Sequence, residues 1–146
     1  MKYADKLILM NKKPKFRIAV IDDEIDLGTI CVEILQIHGF EAVHFCEAEA
    51  FLKERHLAID LLITDISLGG KSGYDLAIEY HSLLKNERKS AVPTLFISGA
   101  GEQKAGIINF DPGNAFFLEK PFNLDELLNT VHAIFNTKAD QKSTAA

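Results

Sequence analysis

Four stretches of the chain are short, continuously apolar and flanked by polar residues: Ile18-Ala19-Val20-Ile21, Leu61-Leu62-Ile63, Leu95-Phe96-Ile97 and Ala115-Phe116-Phe117-Leu118. Strands covered on both faces read this way, because neither face can be polar. A fifth stretch, Ala42-Val43-His44-Phe45-Cys46, is mixed and suits an edge strand. Between these runs the apolar residues return at helical spacing. Leu27, Ile30, Cys31, Ile34 and Leu35 mark one helix. Leu76, Ala77, Tyr80, Leu83 and Leu84 mark another, and Leu124, Leu127, Leu128, Val131 and Phe135 a third. Residues 47–56 suit a shorter one. Gly39 closes the first helix, and Asn123 with Glu126 three residues on forms an N-terminal cap for the last.

The order is β-α repeated five times. It predicts an α/β fold, a five-stranded parallel sheet wound with five helices on both faces by right-handed crossovers. The fourth helix is the weak one. It falls within residues 99–114, where Gly101, Gly106 and Pro112 leave room for about two turns, so it is expected to be short or mobile.

Composition narrows the class. The chain has 146 residues, 47% hydrophobic and 25% charged, which suits one globular domain. No apolar run approaches the ~18 residues of a membrane span, and Leu7 to Met10 is too short for a signal peptide. Cys31 and Cys46 match no metal spacing and are expected to be reduced core residues. A cytoplasmic protein is the expectation. Net charge is −5, but residues 1–17 carry +5 and the rest −10. An acidic body argues against nucleic acid as a partner. Residues 1–15 read as a basic leader, 16–136 as the folded domain and 137–146 as a polar tail. The leader leaves a docking helix at Tyr3 to Met10 and a homodimer as open alternatives. His38, His44, His56, His81 and His132 lie on different elements and suggest no shared metal site.

In a parallel sheet all strands end on one edge, and ligands bind there. Strand one ends in Asp22-Asp23-Glu24, strand three in Asp65, strand four in Ser98, and strand five just before Lys120-Pro121. Clustered carboxylates repel unless a cation joins them. Oxygen donors without His or Cys suit a hard cation such as Mg²⁺. A carboxylate beside it can attack a phosphoryl group, with lysine and hydroxyl groups stabilising the transferring oxygens. Each residue alone is an ordinary cap, turn or surface residue; together, at successive strand ends, they specify phosphoryl chemistry.

These residues resemble the receiver domains of two-component response regulators, including the single-domain chemotaxis type. The matching segments are FRIAVIDDE at 16–24, DLLITDISLGGKSG at 60–73, PTLFISGA at 93–100 and AFFLEKPF at 115–122, and the resemblance spans 16 to about 136. It implies a flavodoxin-like sheet of order 2-1-3-4-5. By this resemblance Asp65 is the phosphoacceptor. Asp23 binds Mg²⁺ directly, Asp22 mainly through water, and the Ser67 backbone carbonyl adds a ligand. Lys120 holds the phosphoryl oxygens, Ser98 turns in towards them, and Phe117 is the aromatic switch. Gly73 matches the family's glycine eight residues after the acceptor, and the Lys120-Pro121 peptide is expected to be cis. Ser98 stands where Thr is commoner, Phe117 where Tyr is commoner, and Gly69 where Pro is frequent, which should loosen that loop.

The implied role is a phosphorelay switch, not an enzyme with a separate substrate. Its implied partners are a sensor histidine kinase or histidine phosphotransfer protein and a downstream effector protein. Output is expected through protein contacts, since no further domain follows. Two other readings stand beside it. One is a binding module of the same fold that works without phosphorylation. The other is an aspartyl-phosphate phosphatase, which Ser67 disfavours because the dehalogenase type needs an Asp two residues after its nucleophile.

Overall fold

The computed structural model describes residues 15–54, 56–99 and 112–144. Five strands alternate with helices: β1 (Arg17–Ile21), α1 (Ile25–Ile37), β2 (Glu41–Phe45), α2 (Ala48–Leu52), β3 (Leu61–Asp65), α3 (Gly73–Asn86), β4 (Thr94–Ser98), β5 (Ala115–Glu119) and α4 (Leu124–Thr144). A 3-10 turn at Pro112–Asn114 leads into β5. The strands form one parallel sheet of order β2-β1-β3-β4-β5, the order implied by the resemblance. The basic leader up to residue 14 and most of the segment expected to hold a further helix lie outside the described residues.

Alternation along each strand builds two cores. Ile18, Val20, Leu61, Ile63, Leu95 and Ile97 face one side, where Cys31 and Leu35 of α1 and Leu127, Leu128, Val131 and Ile134 of α4 cover them. Ala19, Ile21 and Leu62 face the other, against Ala48 and Phe51 of α2 and Leu76 and Leu84 of α3. Each buried Leu or Ile side chain contributes roughly 1.5–3 kcal/mol over exposure. A polar residue without a hydrogen-bond partner on either face of β1 or β3 would therefore be costly.

The helix ends follow local chemistry. Gly39 takes φ +93° after α1, which a side chain would resist, and the Glu126 amide donates to Asn123 Oδ1 at 2.8 Å at the start of α4. Ser72 caps α3 by accepting from the Asp75 amide at 3.1 Å.

Four expectations change. The helix sought at 47–56 is only five residues long, because Leu57 and Ile59 return to the core beside Phe51 instead of continuing its spacing. β5, whose continuous apolar run reads as covered on both faces, is only half-buried, in keeping with its edge place in the expected strand order. Cys46 is exposed; only Cys31 is buried, and burial pushes its thiol up to about 11. Finally, α4 runs past residue 136 into the segment read as a tail. Thr137 Oγ1 donates to the Ala133 carbonyl at 2.8 Å, and Lys138 Nζ donates to the Gly113 carbonyl at 2.7 Å while lying over the Phe116 ring.

Candidate phosphoryl and metal site

Register places the chemistry. Ile21 pairs with Thr64, so Asp22 and Asp65 leave β1 and β3 side by side. Asp65 pairs with Ile97, and Ser98 with Glu119, so Ser98 and Lys120 follow at the same edge. Single donor oxygens of Asp22, Asp23 and Asp65 lie within 4.8 Å of one another. Asp22 and Asp65 are buried and Asp23 is exposed, which leaves the cluster open to solvent on one side.

Each carboxylate is held. Asp65 Oδ2 accepts from Lys120 Nζ at 2.7 Å, and Asp65 Oδ1 from the Ser67 amide at 3.2 Å. Asp22 Oδ1 accepts from the Glu24 amide at 2.9 Å. Burial raises the Asp22 carboxyl above its ordinary range; the Glu24 amide opposes this, and the Asp65 charge adds to the rise. For Lys120, burial acts to lower the ammonium, but the hydrogen bond and charge of Asp65, with Asp22 and Glu24, outweigh it and hold it above its usual value. Among the described residues one lysine is bonded into the three-carboxylate cluster, so these groups together are short of positive charge. Carboxylate oxygens without a His or Cys nitrogen or sulfur donor fit a hard cation such as Mg²⁺.

The second layer fixes these groups. The Lys120-Pro121 peptide is cis, as expected, and the Lys120 amide donates to the Ser98 carbonyl at 2.7 Å. A Cβ on Gly73 would lie 2.2 Å from the Asp65 carbonyl oxygen, so the family's glycine position is explained by space. Ser98 is buried at its expected place on the edge. Phe117 stacks on Phe96 with centroids 5.5 Å apart, in a small cluster with Ile66, Tyr74 and Ala77. Its described ring partner is therefore Phe96, two residues before Ser98. Ser67 reaches Asp65 through its amide.

Two features escaped the sequence reading. Lys71, in the loop after Asp65, bonds Glu79 of α3 and lies 3.1 Å from Glu49 at α2. It ties the Gly69-Gly70 loop to both helices. His44 of β2 donates from Nε2 to the Asp22 carbonyl at 2.8 Å, over Gly28 of α1. The only sequence signal for the second was a glycine inside a helical pattern, which costs about 1 kcal/mol and asks for a packing reason.

A family model described as the response regulator receiver domain matches residues 18–132. Among curated proteins, the transcriptional regulatory protein RprY of Bacteroides fragilis is 26% identical over 92% of this chain and 56% of its own length. The regulatory protein VirG of Agrobacterium fabrum is 29% identical over 86% of this chain and 48% of its own. The chain thus spans about half the length of these curated relatives. Among solved structures, a CheY-like receiver domain protein of Methanospirillum hungatei aligns with TM-score 0.72 at 20% identity, over 87% of this chain and 99% of that one. This last likeness shows the fold.

Proposed function

The chain belongs to the response regulator receiver domain family, and from that premise we propose that it is a phosphoacceptor switch of a two-component phosphorelay with Asp65 as the acceptor. The observation that carries this is the Lys120 Nζ–Asp65 Oδ2 contact of 2.7 Å inside a cluster of three carboxylates. A carboxylate poised between a fixed ammonium and a cation site is oriented for attack and screened from its neighbours.

In the proposed step an Asp65 oxygen attacks the phosphorus of a partner's phosphohistidine. The O–P bond forms, the P–N bond breaks, and the electron pair leaves with the imidazole, which takes up a proton. Asp22, Asp23, Asp65 and the Ser67 backbone carbonyl would hold Mg²⁺, which when bound neutralises charge on the transferring oxygens. Lys120 stays on the phosphoryl group, and the Ser98 hydroxyl donates to it. Moving Ser98 inward opens space beside Phe96, and Phe117 shifts with it to carry the signal to a protein partner. Water later hydrolyses the acyl phosphate, so no separate substrate is needed. The acidic body favours a protein partner over nucleic acid. Among the described residues no helix is long and apolar enough to cross a membrane.

The test is intact mass after acetyl phosphate, with and without Mg²⁺, on wild type and Asp65→Asn. One added phosphoryl group that requires both is expected. Labelling of Asp65→Asn would refute the acceptor. No labelling and no beryllofluoride binding would favour a module that works without phosphorylation.

A further inference from the structure

The main-chain ladder between β1 and β2 ends at the metal cluster. The Asp22 amide donates to the Phe45 carbonyl at 3.1 Å, and Phe45 is the last residue of β2. Two residues later Glu47 already occupies the N-cap position of α2. The Asp22 carbonyl therefore lies where the ladder has run out, and a covered carbonyl needs a donor. His44 supplies it from its ring, with Nε2 at 2.8 Å. A carbonyl oxygen only accepts, so Nε2 carries the proton. Both ends of Asp22 are then held by β2: its N–H by the Phe45 main chain and its C=O by the His44 side chain.

That C=O belongs to the peptide that joins Asp22 to Asp23. Its plane sets the direction in which the chain leaves β1, and so where the Asp23 carboxylate points. The ring has room only because residue 28 is glycine. A Cβ there would sit 2.2 Å from His44 Nε2, 2.5 Å from Cδ2 and 2.6 Å from Cε1. The Gly28 amide in turn donates to the Glu24 carbonyl at 3.0 Å, in the turn that follows Asp23. Gly28 and His44 are complementary across two elements, and the hydrogen bond they permit lands on the metal loop.

We propose that His44 is a positioning residue for the cation site: through the Asp22–Asp23 peptide it aims the Asp23 carboxylate at the cluster formed with Asp22 and Asp65. The inference rests on the metal reading given above. Outer hydrogen-bond partners of metal ligands commonly change affinity by about tenfold or more.

The test uses the full chain and Mg²⁺ alone, with binding followed by the amide NMR shifts of Asp23 and Asp65. His44→Met keeps the length and removes the donor; His44→Gln keeps a donor near the Nε2 position. The expected result is a Kd about tenfold weaker for His44→Met, and within about threefold of wild type for His44→Gln. Equal melting of the two variants without Mg²⁺ would tie the difference to the donor. Wild-type affinity in His44→Met, or equal loss in both variants, overturns the proposal. Failure of the wild type to bind Mg²⁺ overturns the metal reading itself and this inference with it. If His44→Met does not fold, ¹⁵N spectra of the wild-type ring decide. The Nε2–H form with a resonance that follows the Mg²⁺ titration supports the proposal, and the Nδ1–H form, or no response, refutes it.

Discussion

Gly73 backs directly onto Asp65: a Cβ at residue 73 would lie 2.2 Å from the Asp65 carbonyl oxygen and 3.0 Å from its carbonyl carbon. The Gly73 amide also donates to the Ile66 carbonyl at 2.8 Å, so α3 begins pressed against the acceptor's own main chain. Nothing at the far end of a flexible side chain is there to yield. Gly73→Ala should therefore cost about 2–3 kcal/mol, as overpacking against backbone does. It should also slow labelling of Asp65 by acetyl phosphate, because relief of the clash displaces the acceptor. Urea melts and intact-mass time courses check both. Wild-type values in the two would show that α3 can back away without disturbing the site.

Asp22 is an acid whose carboxyl is raised by burial and by Asp65. In the folded state it holds its proton more tightly than in the unfolded chain. The folded protein therefore loses stability as pH rises from the ordinary carboxylate value through the raised one; below both values there is no loss. Asp22→Asn escapes this, and its Oδ1 can still accept from the Glu24 amide. Without Mg²⁺ at neutral pH the variant should melt higher than wild type, and the gap should close in acid. Saturating Mg²⁺ should reverse the order, since the metal stabilises only a protein that binds it. Melting curves at several pH values, with and without Mg²⁺, give the answer.

Lys120 is the cation that the structure places on Asp65, through Oδ2 at 2.7 Å. Lys120→Met keeps the aliphatic stem and leaves a buried carboxylate beside two others. Breaking a fully buried pair costs about 3–5 kcal/mol. The lysine side chain is 27% exposed, so about 2 kcal/mol is expected here. Mg²⁺ should recover part of that loss by supplying positive charge. Phosphorylation should not recover, because among the described residues no other cationic side chain is bonded to Asp65 to take the ammonium's place. Urea melts with and without Mg²⁺, beside labelling rates, separate the two effects.

The site was legible because a parallel sheet turns strand order into place. Asp22, Asp65, Ser98 and Lys120 each follow an apolar run, and pairing one run with the next carries all four to one edge. What escaped was held by contacts with no local signature. Lys71 looks like any loop lysine until α2 and α3 bring Glu49 and Glu79 to it. His44 looks like any edge-strand histidine until Gly28 lets its ring settle. The apolar run of β5 alone reads as a strand covered on both faces; its edge place comes from the strand order, which apolar content does not encode. Residues 137–144 lack an apolar stripe, yet α4 continues through them because Lys138 is anchored on Gly113 and Phe116.

Lys71 sets the last prediction. The loop after Asp65 carries Gly69 and Gly70 in succession, and Gly69 lies against Asp23, where a Cβ would sit 3.7 Å from Oδ2. Such a loop has many conformations to lose on folding. Lys71 narrows them by bonding Glu79 and Glu49, and the Glu79 hydrogen bond foremost raises its ammonium above the ordinary value. The glutamates are largely exposed, so Lys71→Ala should cost no more than about 1 kcal/mol of global stability. Its effect should instead be local. Amide exchange at residues 67–72 should quicken while β3 and α3 stay protected, and added salt should move the wild type part of the way towards the variant. Exchange that rises equally across β3 and α3 would mean that the lysine supports the fold rather than the loop. An unchanged loop would mean that the glycines are held by their own main chain and that the ion pairs only report their position.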